Sequence, residues 1–362
     1  MISQHCFTPE WIDKQRKELG SADPVILEKS IHALGLVCRL HEYGLSFVLK
    51  GGTSLLLHLD PIRRLSIDAD IVTKTAGDEL EAALRHVAGQ KPFLKVEEDE
   101  RGHRGLPHRR HFKFYYAHID RANPAPYILL DVVEEPAFNL ATEEKPVKAL
   151  FIETDGNINI TLPTAAALLG DKLTAFAPQT IGVPFQTHHG VSQTMQVVKQ
   201  MFDVGELLNV VSNISGVADA YRASYEMENR YAGGGHSMPN CLRDTIQTSF
   251  HVCAHGLRGV QENDIALLIR DGVARLRSHL IRNAFRQDIE AKTAAARSAF
   301  LAAGILSGKT DLSMDEYRYD PTRVQELKGI QLKGEYTPLS RLRGQSAEAL
   351  HYWNHAQMLL SE

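Results

Sequence analysis

Residues 46 to 72 read SFVLKGGTSLLLHLDPIRRLSIDADIV. Ser46 to Leu49 has the length and apolar character of a strand, Gly51-Gly52 is a turn, and Thr53 and Ser54 lead into Leu55, Leu56 and Leu57. Strand, glycine turn and helix N-terminus therefore follow one another directly, until Pro61 ends the helix. Ser66 to Val72 then alternates, which predicts a strand with Asp68 and Asp70 on one face and Ile67, Ala69 and Ile71 on the other.

Each part of this stretch gives a reason for another. Glycines permit close backbone approach to phosphate, the N–H groups at a helix start bind anionic oxygen, and paired carboxylates are hard oxygen ligands for magnesium or manganese. The combination fits a site for a nucleoside triphosphate (NTP) held with divalent metal. A lone D-x-D is better read as the solvated face of an edge strand, and a lone Gly-Gly as just a turn. The run from Lys50 to Ser54, a helix and then S-x-D-x-D is far more specific.

Working outward, Ser21, Asp23 and Pro24 predict a helix start, and apolar residues at helical spacing carry that helix to about Tyr43, where Gly44 stops it. Downstream, a helix is expected near Asp78 to Ala88. Three β-type runs, Phe93 to Glu97, His111 to Ala117 and Tyr127 to Val133, can extend the same sheet. Val147 to Glu153 and Ile158 to Leu162 flank Asp155-Gly156-Asn157 and predict a hairpin. Beyond Pro163 helical periodicity dominates, in Ala165 to Ala175, Gln193 to Val211, Leu242 to His255 and Asp264 to Ala303. Ala232 to Ser237 reads as a flexible loop and Gly329 to Leu342 as irregular.

The expected class is α/β (α+β). A core domain, residues 1–162, carries a mixed sheet with helices, and a mostly helical domain, residues 163–362, completes the nucleotide cleft. A chain of 362 residues with 43% hydrophobic and 23% charged residues is of globular composition and long enough for two domains. The formal charge of -4 excludes a globally basic nucleic-acid binder, so any such contact needs a local patch. The densest candidate is the basic run Arg101 to Lys113, RGHRGLPHRRHFK, which reads as well as an RNA-phosphate contact as it does as a solvated hairpin. Tyr115 and Tyr116 follow it and read as packing. Arg63 and Arg64 can reach a triphosphate or be exposed arginines after a helix-ending proline.

Cys6, Cys38, Cys241 and Cys253 lack metal or disulfide spacing and read as reduced packing residues. The histidines, His188 and His189 among them, are not read in metal-ligand spacing, and no zinc is expected. With no signal-peptide pattern and no apolar run near the ~18 residues of a membrane span, a cytoplasmic protein without membrane contact is expected.

The Gly51-Gly52-Thr53-Ser54 segment followed by Asp68 and Asp70 resembles the nucleotidyltransferase superfamily of the DNA polymerase beta type. More closely, it is similar to the AbiEii/AbiGii toxin family. The resemblance covers approximately residues 25 to 210. It implies a third acidic ligand on a neighbouring strand, for which Asp131 is chosen because it interrupts the apolar run Ile128 to Val132; Glu134 or Glu135 is the alternative if the register is shifted. It further implies a helical lysine, matched by Lys172 within Asp171 to Ala175, and an R-D-x-x-D-L type segment. Here that segment is Lys199-Gln200-Met201-Phe202-Asp203-Val204, so only Asp203 survives, with Lys199 and Gln200 in place of arginine and the first aspartate.

On this resemblance the catalytic set is Asp68, Asp70, Asp131, Lys172 and Asp203. Metal is held by the first three, and nucleotide by Gly51, Gly52, Thr53, Ser54 and Lys172. Lys172 suits the triphosphate as a point charge, and Asp203 orients it or assists the attacking hydroxyl. The acceptor implied is tRNA or another RNA, the outcome growth inhibition, and the partner an antitoxin. Two other readings stay open: nucleotidylation of a protein side chain, and a nucleotide- or RNA-binding module without turnover, which the altered Lys199-Gln200 segment favours.

Overall fold

Asp23 begins the first long helix because its carboxylate accepts from Val25 N at 2.9 Å and Ile26 N at 3.1 Å, with Pro24 in the first turn. Gly44, at φ +95°, ends it. The computed structural model describes residues 1–99, 108–117, 126–135, 138–282, 284–285 and 288–361. The chain divides into two units, Met1–Thr164 with Ser278–Ala284, and Ala165–Arg277 with Phe285–Glu362.

In the first unit a 3-10 turn at Gln4–Phe7 precedes α1 (Pro9–Glu18) and α2 (Pro24–Tyr43). There follow β1 (Phe47–Lys50), α3 (Gly51–Leu56), β2 (Ala69–Thr73), α4 (Gly77–Ala88), β3 (Phe93–Glu98), β4 (His108–Tyr116), β5 (Tyr127–Glu134), β6 (Thr142–Pro146) and β7 (Asn159–Pro163). The main sheet has the order β1-β2-β5-β4-β3. β2 and β5 run parallel, and the other pairs are antiparallel. The sheet is therefore mixed, and the three β-type runs expected to join it do so.

One face of the sheet is core. Phe112, Phe114, Tyr116, Ile128, Leu130 and Val132 are buried with Leu27, Ile31, Leu34 and Leu80 of the helices, while the alternate positions of β4 and β5 are only partly covered. The core stretch of α2 is apolar on most sides because it is nearly all inside.

Two expectations are corrected here. Val147 to Glu153 is no strand, and the hairpin is made by Thr142–Pro146 with Asn159–Pro163. Val147 and Phe151 are buried as plugs in the core instead; Val147 N donates to Ile158 O at 2.8 Å, and the carbonyls of Phe151 and Glu153 are met by the chain's start. Trp11 Nε1 donates to Phe151 O at 2.9 Å and Ser3 N to Glu153 O at 2.9 Å. An apolar loop that fills a core has the composition of a strand without its ladder.

The second unit holds α5 (Ala165–Ala175), α6 (Thr194–Leu207), α7 (Ser215–Tyr231), α8 (Met238–Ala254), α9 (Asp264–Leu276), α10 (Asp288–Leu306), a short α11 (Met314–Tyr317) and α12 (Ala347–Ser361), with 3-10 segments at Pro321–Gly329 and Gly334–Gly344. Alanine-rich α10 packs against α8, α12 and α6. Its small side chains let the helices approach closely, since a Cβ on Gly205 of α6 would lie 2.9 Å from that of Ala294. Asp264 to Ala303 is thus two helices, not one. Between them, Leu65 N donates to His279 O at 2.8 Å and Ile281 N to Arg63 O at 2.9 Å, which ties this return segment to the chain just ahead of Asp68. The four cysteines are unpaired and buried, as packing residues should be.

Candidate active site

β1 hands directly into α3 at Gly51, whose φ is +68°, a conformation natural to glycine. A Cβ at Gly51 would lie 1.8 Å from Asp70 Oδ2 and 2.7 Å from Asp70 Cγ, so glycine is required for space as well as for backbone. Thr53 Oγ1 donates to Asp68 O at 2.5 Å, and Ser54 Oγ to Gly51 O at 2.9 Å. Both hydroxyl residues are fully buried; Thr53 ties the turn to the D-x-D segment, and Ser54 braces the turn itself. The strand begins at Ala69, so Asp68 sits one residue ahead of it and Asp70 within it.

Arg64 is only 1% exposed, which corrects its reading as an exposed arginine. Its guanidinium lies behind the glycine turn: a Cβ on Gly52 would come within 2.9 Å of Arg64 Nη2 and 2.5 Å of Ser66 Oγ. Nη1 also donates to Leu65 O at 2.9 Å.

Across the sheet four residues fall in one register row. Lys50 pairs with Asp70, Asp70 with Asp131, and Asp131 with His111. Register partners share a face, with neighbouring strands about 4.8 Å apart. His111 Nδ1 donates to Asp131 Oδ1 at 2.5 Å, the carboxylate being the acceptor. Neither Lys50 nor His111 was singled out from sequence. The signal that could have found them is the register itself, since an aspartate chosen on β5 must face one residue on each neighbouring strand.

Asp68, Asp70 and Asp131 form a donor set suited to a hard divalent cation. Among the described residues, however, no three His, Cys, Asp or Glu side chains converge as a ready-made ligand cluster. Asp70 packs on the Gly51 backbone, and Asp131 is held by His111. By chemistry all three carboxylates suit such an ion; Asp70 and Asp131, but not Asp68, share the register row. Glu134, the alternative to Asp131, is drawn towards Arg110 at 3.8 Å.

In the second unit Lys172 of α5 and Asp203 of α6 meet, with Nζ 3.4 Å from Oδ2. They are 8% and 0% exposed, so this is a buried pair and not a solvated one. Lys172 Nζ also donates to Gln200 Oε1 at 3.1 Å. Gln200, the departure from the family's segment, is thus a neutral partner of the same ammonium.

Of the basic run 101–113, residues 101–107 lie outside the described ones. Arg110 is consumed by carboxylates, Glu98 at 2.7 Å and Glu81 at 3.0 Å. Lys113 lies on β4 on the same face as His111. Tyr116 is buried packing as expected, stacked on His32 with centroids 3.8 Å apart, whereas Tyr115 is partly exposed on the face of the row. His351 and His355 stand four residues apart on α12, which corrects the reading that no histidine has H-x-x-x-H spacing. His351 Nε2 donates to Tyr317 O at 2.8 Å, and the two rings pack edge to face.

A mixed sheet that sets a glycine turn beside in-register aspartates defines a nucleotidyltransferase-type core. The chain belongs to the family described as nucleotidyl transferase AbiEii toxin, type IV toxin–antitoxin system, whose model matches residues 36–318. It is therefore a nucleotidyltransferase by family, and the match runs well beyond the stretch where sequence motifs were legible. Among solved structures, the nucleotidyltransferase toxin MenT4 of Mycobacterium tuberculosis H37Rv aligns with a TM-score of 0.50 at 15% identity, covering 89% of this chain and 94% of its own. JHP933 from Helicobacter pylori aligns at 0.42 and 13% identity, covering 78% and 93%. At 15% identity the likeness to MenT4 is one of fold alone. No curated protein matches at a significant level. Among the described residues no helix is long and apolar enough to cross a membrane.

Proposed function

We propose that this chain transfers a nucleotide from an NTP to an acceptor hydroxyl, with Asp68, Asp70 and Asp131 holding divalent metal and Gly51 to Ser54 shaping the phosphate cradle. The observation that carries this reading is the row of Asp70 and Asp131 on parallel neighbours, with Asp70 packed on Gly51. The acceptor oxygen bonds to the α-phosphorus, the bond from that phosphorus to the bridging oxygen breaks, and pyrophosphate departs. Magnesium or manganese, when bound, neutralises charge on the phosphates. The hydroxyl proton passes to Asp131, through the carboxylate oxygen other than the one His111 holds. Lys172 is proposed as the cation for the triphosphate, with Asp203 and Gln200 fixing its ammonium.

RNA is favoured over protein as the acceptor by a second feature of the same face. Four residues along β5 from Asp131, about 13 Å away, Tyr127 pairs with Tyr115, which pairs with Lys95. Lys95 Nζ stands 4.4 Å from the Tyr115 ring, and Lys113 Nζ 5.3 Å from that of Tyr127. Aromatic rings with cations beside them suit the bases and phosphates of a single strand. Lys95 and Glu97 form an exposed pair, worth about 0–1 kcal/mol, that can exchange for phosphate, while Lys113 pairs with Asp99 at 3.2 Å in a mostly covered position. By family an antitoxin is the expected protein partner, and growth inhibition the outcome.

The test is label transfer from each α-labelled NTP to total RNA and to protein in the presence of magnesium, comparing wild type with Tyr115→Ala/Tyr127→Ala and Asp131→Asn. RNA label that is lost in Asp131→Asn and reduced in the tyrosine variant supports the reading. Label on protein moves the acceptor to a side chain. Absence of label with every nucleotide, from folded protein, favours the binding module without turnover, for which the Lys199-Gln200 departure speaks.

A further inference from the structure

We infer that His111 is a positioning residue for nucleotidyl transfer, fixing the carboxylate of Asp131 in the place the reaction needs; this rests on the reading of Asp131 given above. His111 and Asp131 are direct register partners on β4 and β5, and the pair is joined by a 2.5 Å hydrogen bond from Nδ1. His111 is 11% exposed at its side chain and Asp131 33%, so the imidazole is the supported inner member and the carboxylate the outer one. An aspartate side chain has two torsions and, at a half-open position, several rotamers of similar energy. A hydrogen bond from an imidazole that strand pairing and burial already hold selects one of them. The row places His111 on the far side of Asp131 from Asp70, so Asp131 stands between it and the Gly51 turn.

Supporting hydrogen bonds of this kind around ligating or reacting groups are worth about 10- to 100-fold in affinity or activity. His111→Ala should lower kcat by about 10- to 100-fold and leave the KM for NTP within about threefold, because the phosphate cradle at Gly51 to Ser54 is untouched. His111→Asn, whose side-chain amide nitrogen takes the place of Nδ1, should recover most of the rate. His111→Gln, whose amide nitrogen takes the place of Nε2, should not. A readout without turnover is calorimetric titration with Mn2+, in which the alanine variant binds about 10-fold more weakly and the asparagine variant close to wild type.

The measurements are made on the full chain with Asp131→Asn alongside, and thermal melts establish folding. If His111→Ala does not fold, the contrast between His111→Asn and His111→Gln decides the matter. A contrast in kcat and Mn2+ affinity supports the inference, and equal values for the two overturn it. Loss of transfer in Asp131→Asn with wild-type behaviour in all three His111 variants overturns the role of His111 and leaves Asp131 in place. Full transfer by Asp131→Asn instead removes the reading of Asp131 on which the inference stands.

Discussion

Gly51 and Asp70 occupy complementary space: the position a Cβ would take on Gly51 lies 1.8 Å from Asp70 Oδ2. The turn thus defines where the carboxylate sits, and the carboxylate defines what the turn can be. Gly51→Ala should displace Asp70 and force a left-handed backbone costing roughly 1–2 kcal/mol. The expected outcome is a folded protein with a lowered melting temperature and transfer reduced at least about 100-fold, measured as label incorporation at saturating NTP. An alanine variant with near wild-type transfer contradicts the coupling.

The buried guanidinium of Arg64 supports the same turn from behind. Arg64→Lys keeps the charge but not the fork that serves Leu65 O. Loss of one buried hydrogen-bond partner costs about 1–3 kcal/mol. Chemical denaturation should register a loss of that size in Arg64→Lys, and Arg64→Met should lose at least as much.

Lys172 and Asp203 meet inside the second unit with almost no exposure. Removing one member of a buried pair strands the other, at about 3–5 kcal/mol. Asp203→Ala should therefore lose stability on that scale in urea titration, whereas Lys172→Met/Asp203→Leu should recover most of it. Additive losses in the double variant would argue that the two side chains are not coupled.

How much of this was legible in the sequence follows how local each feature is. The start of α2 at Asp23-Pro24 and its stop at Gly44 involve only near neighbours, and both stand where they were read. The glycine turn and D-x-D were readable for the same reason. Asp131 was readable because an aspartate inside an apolar strand is conspicuous, and the register then set it beside Asp70. His111 was hidden because its partnership depends on which residues of β4 and β5 face each other. The return segment Ser278–Ala284 was hidden because its hydrogen bonds reach back to Arg63 and Leu65. Val147 and Phe151 misled because burial in a loop and burial in a strand require the same side chains.

Burial pushes the imidazole of His355 down from 6.5 to about 4, with the neighbouring His351 acting the same way. Burial likewise lowers His58, His251 and His351. Each binds its proton more readily unfolded than folded, so stability is full above the unfolded value and falls as pH drops from about 6.5 towards 4. A shift of this size corresponds to at most roughly 3–4 kcal/mol, less for His355's partial exposure. Melting temperatures between pH 7.5 and 4.5 should fall steeply in wild type and less steeply in His355→Leu. Equal slopes would assign the acid limb to other groups.

The in-register carboxylates are tested most directly by transfer from α-labelled NTP in the presence of magnesium, by wild type and by Asp70→Asn, at matched melting temperature. The expected result is label transferred by wild type and a loss of at least about 1000-fold in the variant, since an amide brings no negative charge to the divalent ion proposed there. Transfer by Asp70→Asn within a few-fold of wild type would contradict the assignment of this row as the active site.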